Sequence, residues 1–176
     1  LPVVVWSYPL GGPLTKEQET ALEVEMAAAH IAIQAGAHIV KIKPPTAMVD
    51  KDEQALFDKQ GVPHDTLTER VRLLKRFGAL FGRRKLIFSG MDLRDEAAVL
   101  REVAELQLGG GDGDIVGRNM FRRPWKESTE LGQKILAIIL ASTQRAFTSP
   151  EELVAYALRD AHAGDVLFDL KKRLNV

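Results

Sequence analysis

The chain has 176 residues, and its 24 lysines and arginines balance 24 aspartates and glutamates. It is therefore long enough for one domain with a sizeable core, and it carries no net field to recruit nucleic acid or an acidic membrane surface. It has no cysteine, which excludes disulfides, thiolate catalysis and cysteine-bound zinc and fits a reducing compartment, with the cytoplasm as the default location. No apolar run near the start reaches the length of a signal h-region or a membrane span, so no membrane partner is expected.

The chain opens at Leu1 and enters a strand-like run at once, which reads as a processed, truncated or excised piece. Val3 to Tyr8 has strand composition and is closed by Pro9, Gly11, Gly12 and Pro13. Thr15 and Gln18 form a capping-box pattern, and Leu22, Met26, Ala29 and Ile33 recur at helical spacing up to Gly36. A second strand, His38 to Lys43, stops at Pro44-Pro45. From Thr46 to His64 the chain is polar and aperiodic, an excursion with a short helix around Glu53 to Asp58.

Thr66 and Glu69 make a second capping box, and Val71, Leu74, Ala79 and Leu80 predict a helix running to Gly82. Lys85 to Phe88 is a third strand ending in Ser89-Gly90, after which Asp92 can cap a helix containing Ala97, Leu100, Val103 and Leu106. The run Gly109 to Gly113 breaks the chain before a fourth strand, Asp114 to Asn119, with a polar end. Pro124 marks the entry to a helix with Leu131, Ile135, Ile138 and Ile139, and Ser149-Pro150-Glu151-Glu152 opens another. A basic amphipathic stretch, Val166 to Leu174, closes the chain.

Four strands alternating with helices predict an α/β fold with a parallel sheet, whose chemistry sits at the carboxyl ends of the strands. All four ends carry polar or glycine residues: Tyr8; Lys41 with Lys43; Ser89-Gly90; and Gly117-Arg118. Lys41 and Lys43 interrupt an apolar strand and share a face with Ile39 by alternation. A buried lysine near a second cation is drawn toward the neutral amine that attacks carbonyls, and Tyr8 is either the group that moves protons for it or an ordinary barrel-lining aromatic. The competing reading is that both lysines lie past the last ladder bond and reach to water.

Trp6 shares the parity of Tyr8 and either lines the same pocket or packs in the core. Ser89, Gly90, Gly117 and Arg118 have the composition of an anion site, in which glycines let backbone N–H groups approach a phosphate and arginine adds a planar fork. Arg122-Arg123 reads as a phosphate contact or as a solvated helix entry. His30, His38, His64 and His162 show no ligand spacing, so no protein-bound catalytic metal is expected.

Trp6-Ser7-Tyr8-Pro9, Gly36 to Lys43, Phe88-Ser89-Gly90 and Gly109 to Asn119 together resemble the archaeal-type class I fructose-bisphosphate aldolases, a group also found in bacteria. The resemblance implies a (β/α)8 TIM barrel of which residues 1–176 are about the C-terminal four βα units, strands five to eight, with an insertion at about 46–64 and C-terminal helices over 126–176. It implies that Lys41 is the Schiff-base residue and Lys43 a neighbour that tunes it. Tyr8 is then the proton-shuttling tyrosine, Trp6 the pocket tryptophan, and Ser89, Gly90, Gly117 and Arg118 the phosphate-binding positions.

The implied reaction is reversible cleavage of fructose 1,6-bisphosphate to dihydroxyacetone phosphate and glyceraldehyde 3-phosphate, a step of glycolysis and gluconeogenesis that needs no cofactor. Implied partners are a phosphorylated sugar, further copies in a homo-oligomer, and either an N-terminal half-barrel or a second copy to complete the site. Leu10 stands where the family usually has arginine, and Met91 where it has a second glycine. An acidic active-site residue of the family's first strand lies outside the matched part. Two alternatives stay open: a lysine-dependent transaldolase-like synthase or thiolase on another phosphorylated ketone, and a catalytically incompetent half-barrel acting as an assembly module.

Overall fold

The computed structural model describes residues 1–90 and 93–160. Met91, Asp92, His162 and the stretch from Val166 to Leu174, each given a role above, lie outside the described residues. The chain forms two compact units, Leu1–Met91 with Gly109–Ile115, and Asp92–Leu108 with Val116–Val176.

The first unit holds a four-stranded parallel sheet in the order β1 (Val4–Trp6), β2 (Ile39–Ile42), β3 (Lys85–Ser89) and β4 (Gly113–Ile115). Register pairs Trp6 with Lys41, Ile42 with Phe88 and Phe88 with Asp114. Sequential parallel neighbours are what right-handed βα crossovers generate, and they are the local geometry of a barrel wall. Val40, Ile42, Leu86 and Phe88 are fully buried, each contributing about 1.5–3 kcal/mol by burial.

Helix α1 (Leu22–Gln34) covers β2 and buries Leu22, Ala29 and Ile33. It begins later than the Thr15–Gln18 pattern predicts. That capping box is present, with reciprocal bonds of 3.3 and 2.8 Å. It leads into one 3₁₀ turn, Gln18–Thr20, after which Ala21 is extended (ψ 149°) and the α-helix starts afresh.

The excursion after β2 contains α2 (Lys51–Gln60), capped by the Asp50 side chain and closed by left-handed Gly61, with no buried residue of its own. Its base is tied down instead. Thr46 N–H donates to the Thr20 carbonyl (2.9 Å), and the buried Arg70 guanidinium donates to the carbonyls of Pro45, His64 and Asp65 at 3.2, 3.0 and 2.6 Å.

Arg70 belongs to α3 (Leu67–Leu73), where the predicted Thr66–Glu69 capping box is complete. The helix does not run on to Gly82. It widens into a π-helical turn over Leu74–Gly78, and Leu80 and Phe81 take left-handed φ values of 51° and 57°. That turn packs on α1 at Gly78, whose Cα faces Ala29 and Met26. Leu80, expected on a buried helical stripe, is exposed for that reason.

In the second unit α4 (Glu96–Leu108), α6 (Trp125–Ser142) and α7 (Pro150–Asp160) pack around Leu100, Val103, Leu131, Ile138 and Leu153. Asp95 caps α4, accepting from Ala98 N–H at 2.8 Å. Ser149 caps α7 as predicted, accepting from Glu152 N–H at 3.1 Å. The fourth strand is shorter than predicted: it ends at Ile115, and Arg118 opens a one-turn helix, α5 (Arg118–Phe121). Among the described residues no helix is long and apolar enough to cross a membrane.

Candidate functional site

The carboxyl ends of β1 and β2 bring Trp6, Tyr8 and Lys41 together. Their register is locked on both sides, because Ser7 N–H donates to the Lys41 carbonyl (2.9 Å) and the Ser7 hydroxyl donates to the Ala28 carbonyl of α1 (2.8 Å). Ser7 thus points at the covering helix, so its neighbours Trp6 and Tyr8 project the other way. Lys41 is buried, and its Nζ donates to Tyr8 Oη at 2.7 Å. The same nitrogen lies 5.4 Å from the centroid of the Tyr8 ring and 5.6 Å from that of Trp6. An amine held by two aromatic walls and one phenol has a fixed trajectory and a proton partner in contact, which is what nucleophilic attack on a carbonyl requires.

Lys43 lies beyond the last residue of β2. Its charge acts on two carboxyls of the covering layer, Glu19 and Glu25. Glu19 is held below the ordinary carboxylate range, chiefly by its hydrogen bond from Lys16 (2.9 Å). Glu25 is different. It is fully buried on α1, its oxygens make no well-formed hydrogen bond although the Lys43 backbone N–H faces them, and burial pushes its carboxyl up to about 8. The sequence signal for it was available, because Glu25 occupies the same helical stripe as Leu22 and Ala29.

At the end of β3, Ser89 donates through its hydroxyl to the Ile42 carbonyl (3.2 Å), and Gly90 N–H donates to the Ile115 carbonyl (2.9 Å). Both sit at the same edge of the sheet as Lys41. Gly117 and Arg118 belong to the second unit, where Gly117 precedes the single turn of α5 and its carbonyl accepts from Met120 N–H at 2.8 Å. The neighbouring Asn119 is buried and accepts from Arg94 N–H (2.8 Å). Arg123 donates to the Asn119 and Arg94 carbonyls, so it braces this turn. Arg122 is exposed.

The histidines have local roles. His38 Nδ1 accepts from Val3 N–H, His30 pairs with Gln34, and His64 bonds Val62 and Gln54 and tilts against Phe57. Among the described residues no group of three or more histidines, aspartates and glutamates is placed to hold a metal.

No protein-family profile matches the chain. A class 1 fructose-bisphosphate aldolase from Thermoproteus tenax is 32% identical over 123 residues, 70% of this chain and 38% of that protein. Among solved structures, a fructose-bisphosphate aldolase from Slackia heliotrinireducens superposes with a TM-score of 0.65 at 25% identity, covering 92% of this chain and 44% of that one. An archaeal fructose-1,6-bisphosphate aldolase, whose catalytic lysine is covalently bound to the carbinolamine intermediate, superposes at 0.56 with 27% identity over 76% of this chain and 44% of that one. The chain thus spans less than half the length of the relatives it matches.

Proposed function

The chain belongs, over less than half of its relatives' length, to the archaeal-type class I fructose-bisphosphate aldolases, and on that premise we propose that it carries the Schiff-base part of an aldolase site. The observation behind the proposal is the 2.7 Å contact between Lys41 Nζ and Tyr8 Oη at the carboxyl edge of the sheet. The substrate is fructose 1,6-bisphosphate. The Lys41 amine adds to the C2 carbonyl, and the carbinolamine loses water to give a protonated iminium. The C4 hydroxyl then gives up its proton, the C3–C4 bond breaks, and its electron pair moves onto the iminium nitrogen. Glyceraldehyde 3-phosphate leaves, the enamine takes a proton at C3, and water releases dihydroxyacetone phosphate from Lys41.

Tyr8 moves the protons of these steps, because a phenol in contact with the reacting nitrogen can donate and then accept. Trp6 and Tyr8 wall the carbon chain, and Lys43 supplies a second positive charge at the edge of the site. Ser89 and Gly90 in the first unit, and Gly117 and Arg118 in the second, are each proposed as phosphate-binding positions, as glycine-flanked strand ends are. The open edge of the sheet, where Val4 and Trp6 are 40% and 56% exposed, favours pairing with the further strands of a closed barrel.

Borohydride reduction in the presence of dihydroxyacetone phosphate, followed by peptide mass mapping of the full-length protein, tests this reading. The expected result is a ligand-sized mass increase on the peptide containing Lys41, absent in Lys41→Met. An adduct on another lysine, or none at all, would sink the assignment.

A further inference from the structure

Seven of the chain's 24 lysines and arginines fall within residues 70–85, and no aspartate or glutamate lies among them. In a chain of zero net charge this is a strong local segregation. The fold consumes part of it: Arg70 is buried on backbone carbonyls, and Lys75 and Lys85 both bind Asp112. Arg76, Arg83 and Arg84 are exposed and enter no ion pair among the described residues.

The charge surrounds a cavity of about 360 Å³ whose lining includes Arg72, Lys75, Arg76, Phe81, Gly82 and Gly110. Its size lies within the range of small-molecule sites. Gly82 and Gly110 have φ values of 77° and 89°, and a Cβ on either would meet only the Lys75 side chain, at 3.8 and 3.6 Å. Those two backbones therefore stay bare where a ligand would approach them. Phe81, 72% exposed and braced edge-on by Phe77 at 6.4 Å, offers an aromatic face beside the cations. It is held there by a left-handed backbone that a phenylalanine rarely adopts. The cavity lies near the start of β3, whereas Lys41 and Ser89 lie at the opposite ends of their strands, so it is separate from the aldolase site.

We propose that this cavity binds a nucleoside polyphosphate. Its phosphates sit against Arg72 and Arg76 where the Gly82 and Gly110 backbone leaves room for them, and its base stacks on Phe81. Arginine forks and bare glycine backbone recognise phosphate oxygens, while an exposed aromatic ring beside them selects a ligand that also has a flat, polarisable base. A phosphorylated sugar offers the first feature without the second.

Calorimetric titration of the protein with ADP, pyrophosphate and adenosine, repeated on Arg76→Ala and Phe81→Asn, tests the proposal; asparagine tolerates the left-handed backbone at position 81. ADP should bind more tightly than either fragment. Arg76→Ala should weaken ADP and pyrophosphate together, by about tenfold. Phe81→Asn should weaken ADP by about tenfold and leave pyrophosphate unchanged. Lys41 trapping should persist in both variants, so loss of nucleotide binding is distinguishable from failure of the aldolase reading. ADP binding no tighter than pyrophosphate, or indifferent to both substitutions, would overturn the proposal. So would a single-stranded oligonucleotide that outcompetes ADP, since the surface would then be a nucleic-acid track.

Discussion

Glu25 gives the folded protein a stability that falls as pH rises. Its carboxyl is fully buried on α1, with no well-formed hydrogen bond to either oxygen and only the Lys43 backbone N–H facing it. Burial raises it from 4.5 to about 8, against a weaker opposing pull from Lys43. The folded state therefore holds a proton that the unfolded chain releases near its ordinary carboxylate range. Below that range both states are protonated and Glu25 carries no penalty. Between the two values the unfolded chain gains by ionising, at about 1.36 kcal/mol per pH unit, and the loss is complete once pH passes the folded value. The interval yields at most about 5 kcal/mol in total and about 3 kcal/mol at pH 7.

Glu25→Gln keeps the shape and removes the ionisation; Glu25→Leu also removes the unpaired oxygens. Urea denaturation at intervals from about pH 5 to pH 9 should show both variants gaining on the parent as pH rises, with a plateau once the parent carboxyl has ionised. Glu25→Leu should lie above Glu25→Gln throughout, because a buried unsatisfied amide still costs about 1–3 kcal/mol. A constant offset across the pH range would refute the argument, since it would mean that the carboxyl is ionised in the folded state.

Tyr8→Phe removes the phenol that contacts Lys41 Nζ and should lower turnover by about a hundredfold or more, with borohydride trapping at Lys41 retained; steady-state rates beside trapping yields check it. Arg70→Met strands three carbonyls at the base of the excursion and should cost about 2–4 kcal/mol. Hydrogen exchange over residues 46–65 should accelerate with it, and unchanged protection would contradict the clasp. Gly109→Ala would place a Cβ 2.4 Å from Val71 Cβ and 2.9 Å from the Thr68 carbonyl, so thermal unfolding should reveal a loss of about 1–3 kcal/mol. Gly132→Ala is the control, meeting at 3.0 Å only the flexible end of Met120.

The parallel α/β order was legible because the first three strands are apolar runs punctuated by proline or glycine, and the helices α1, α4 and α6 carry a 3.6-residue stripe. The caps at Thr66 and Ser149 were legible too, since capping is a local rule satisfied by residues three apart. What failed were departures set by tertiary contact. Nothing in the spacing of Val71, Leu74 and Leu80 reveals that the helix widens at Leu74 and turns left-handed at Leu80, where it packs on α1. The Thr15 box marks a helical start but not which one, because Ala21 resets the backbone before α1 begins.

The candidate site divides along the same line. Alternation alone places Lys41 and Lys43 on one face, and for Lys41 the geometry agrees, with its amine against Tyr8 and Trp6. For Lys43 alternation loses its authority, because β2 stops at Ile42 and a residue past the last ladder bond is no longer bound to the pleat. The two acids that feel its charge, Glu19 and Glu25, come from segments far enough away in sequence that no local pattern pairs them with it. With Glu25 holding its proton at neutral pH, one of those two acids offers Lys43 no counter-charge there. Lys43 is therefore left with Glu19 as its ionised neighbour, and only above pH 8 does Glu25 add a second counter-charge. The pairing of Glu25 with Lys43 is thus itself pH-dependent, and Lys43→Met should raise the Glu25 carboxyl further, moving the stability plateau of the parent to higher pH.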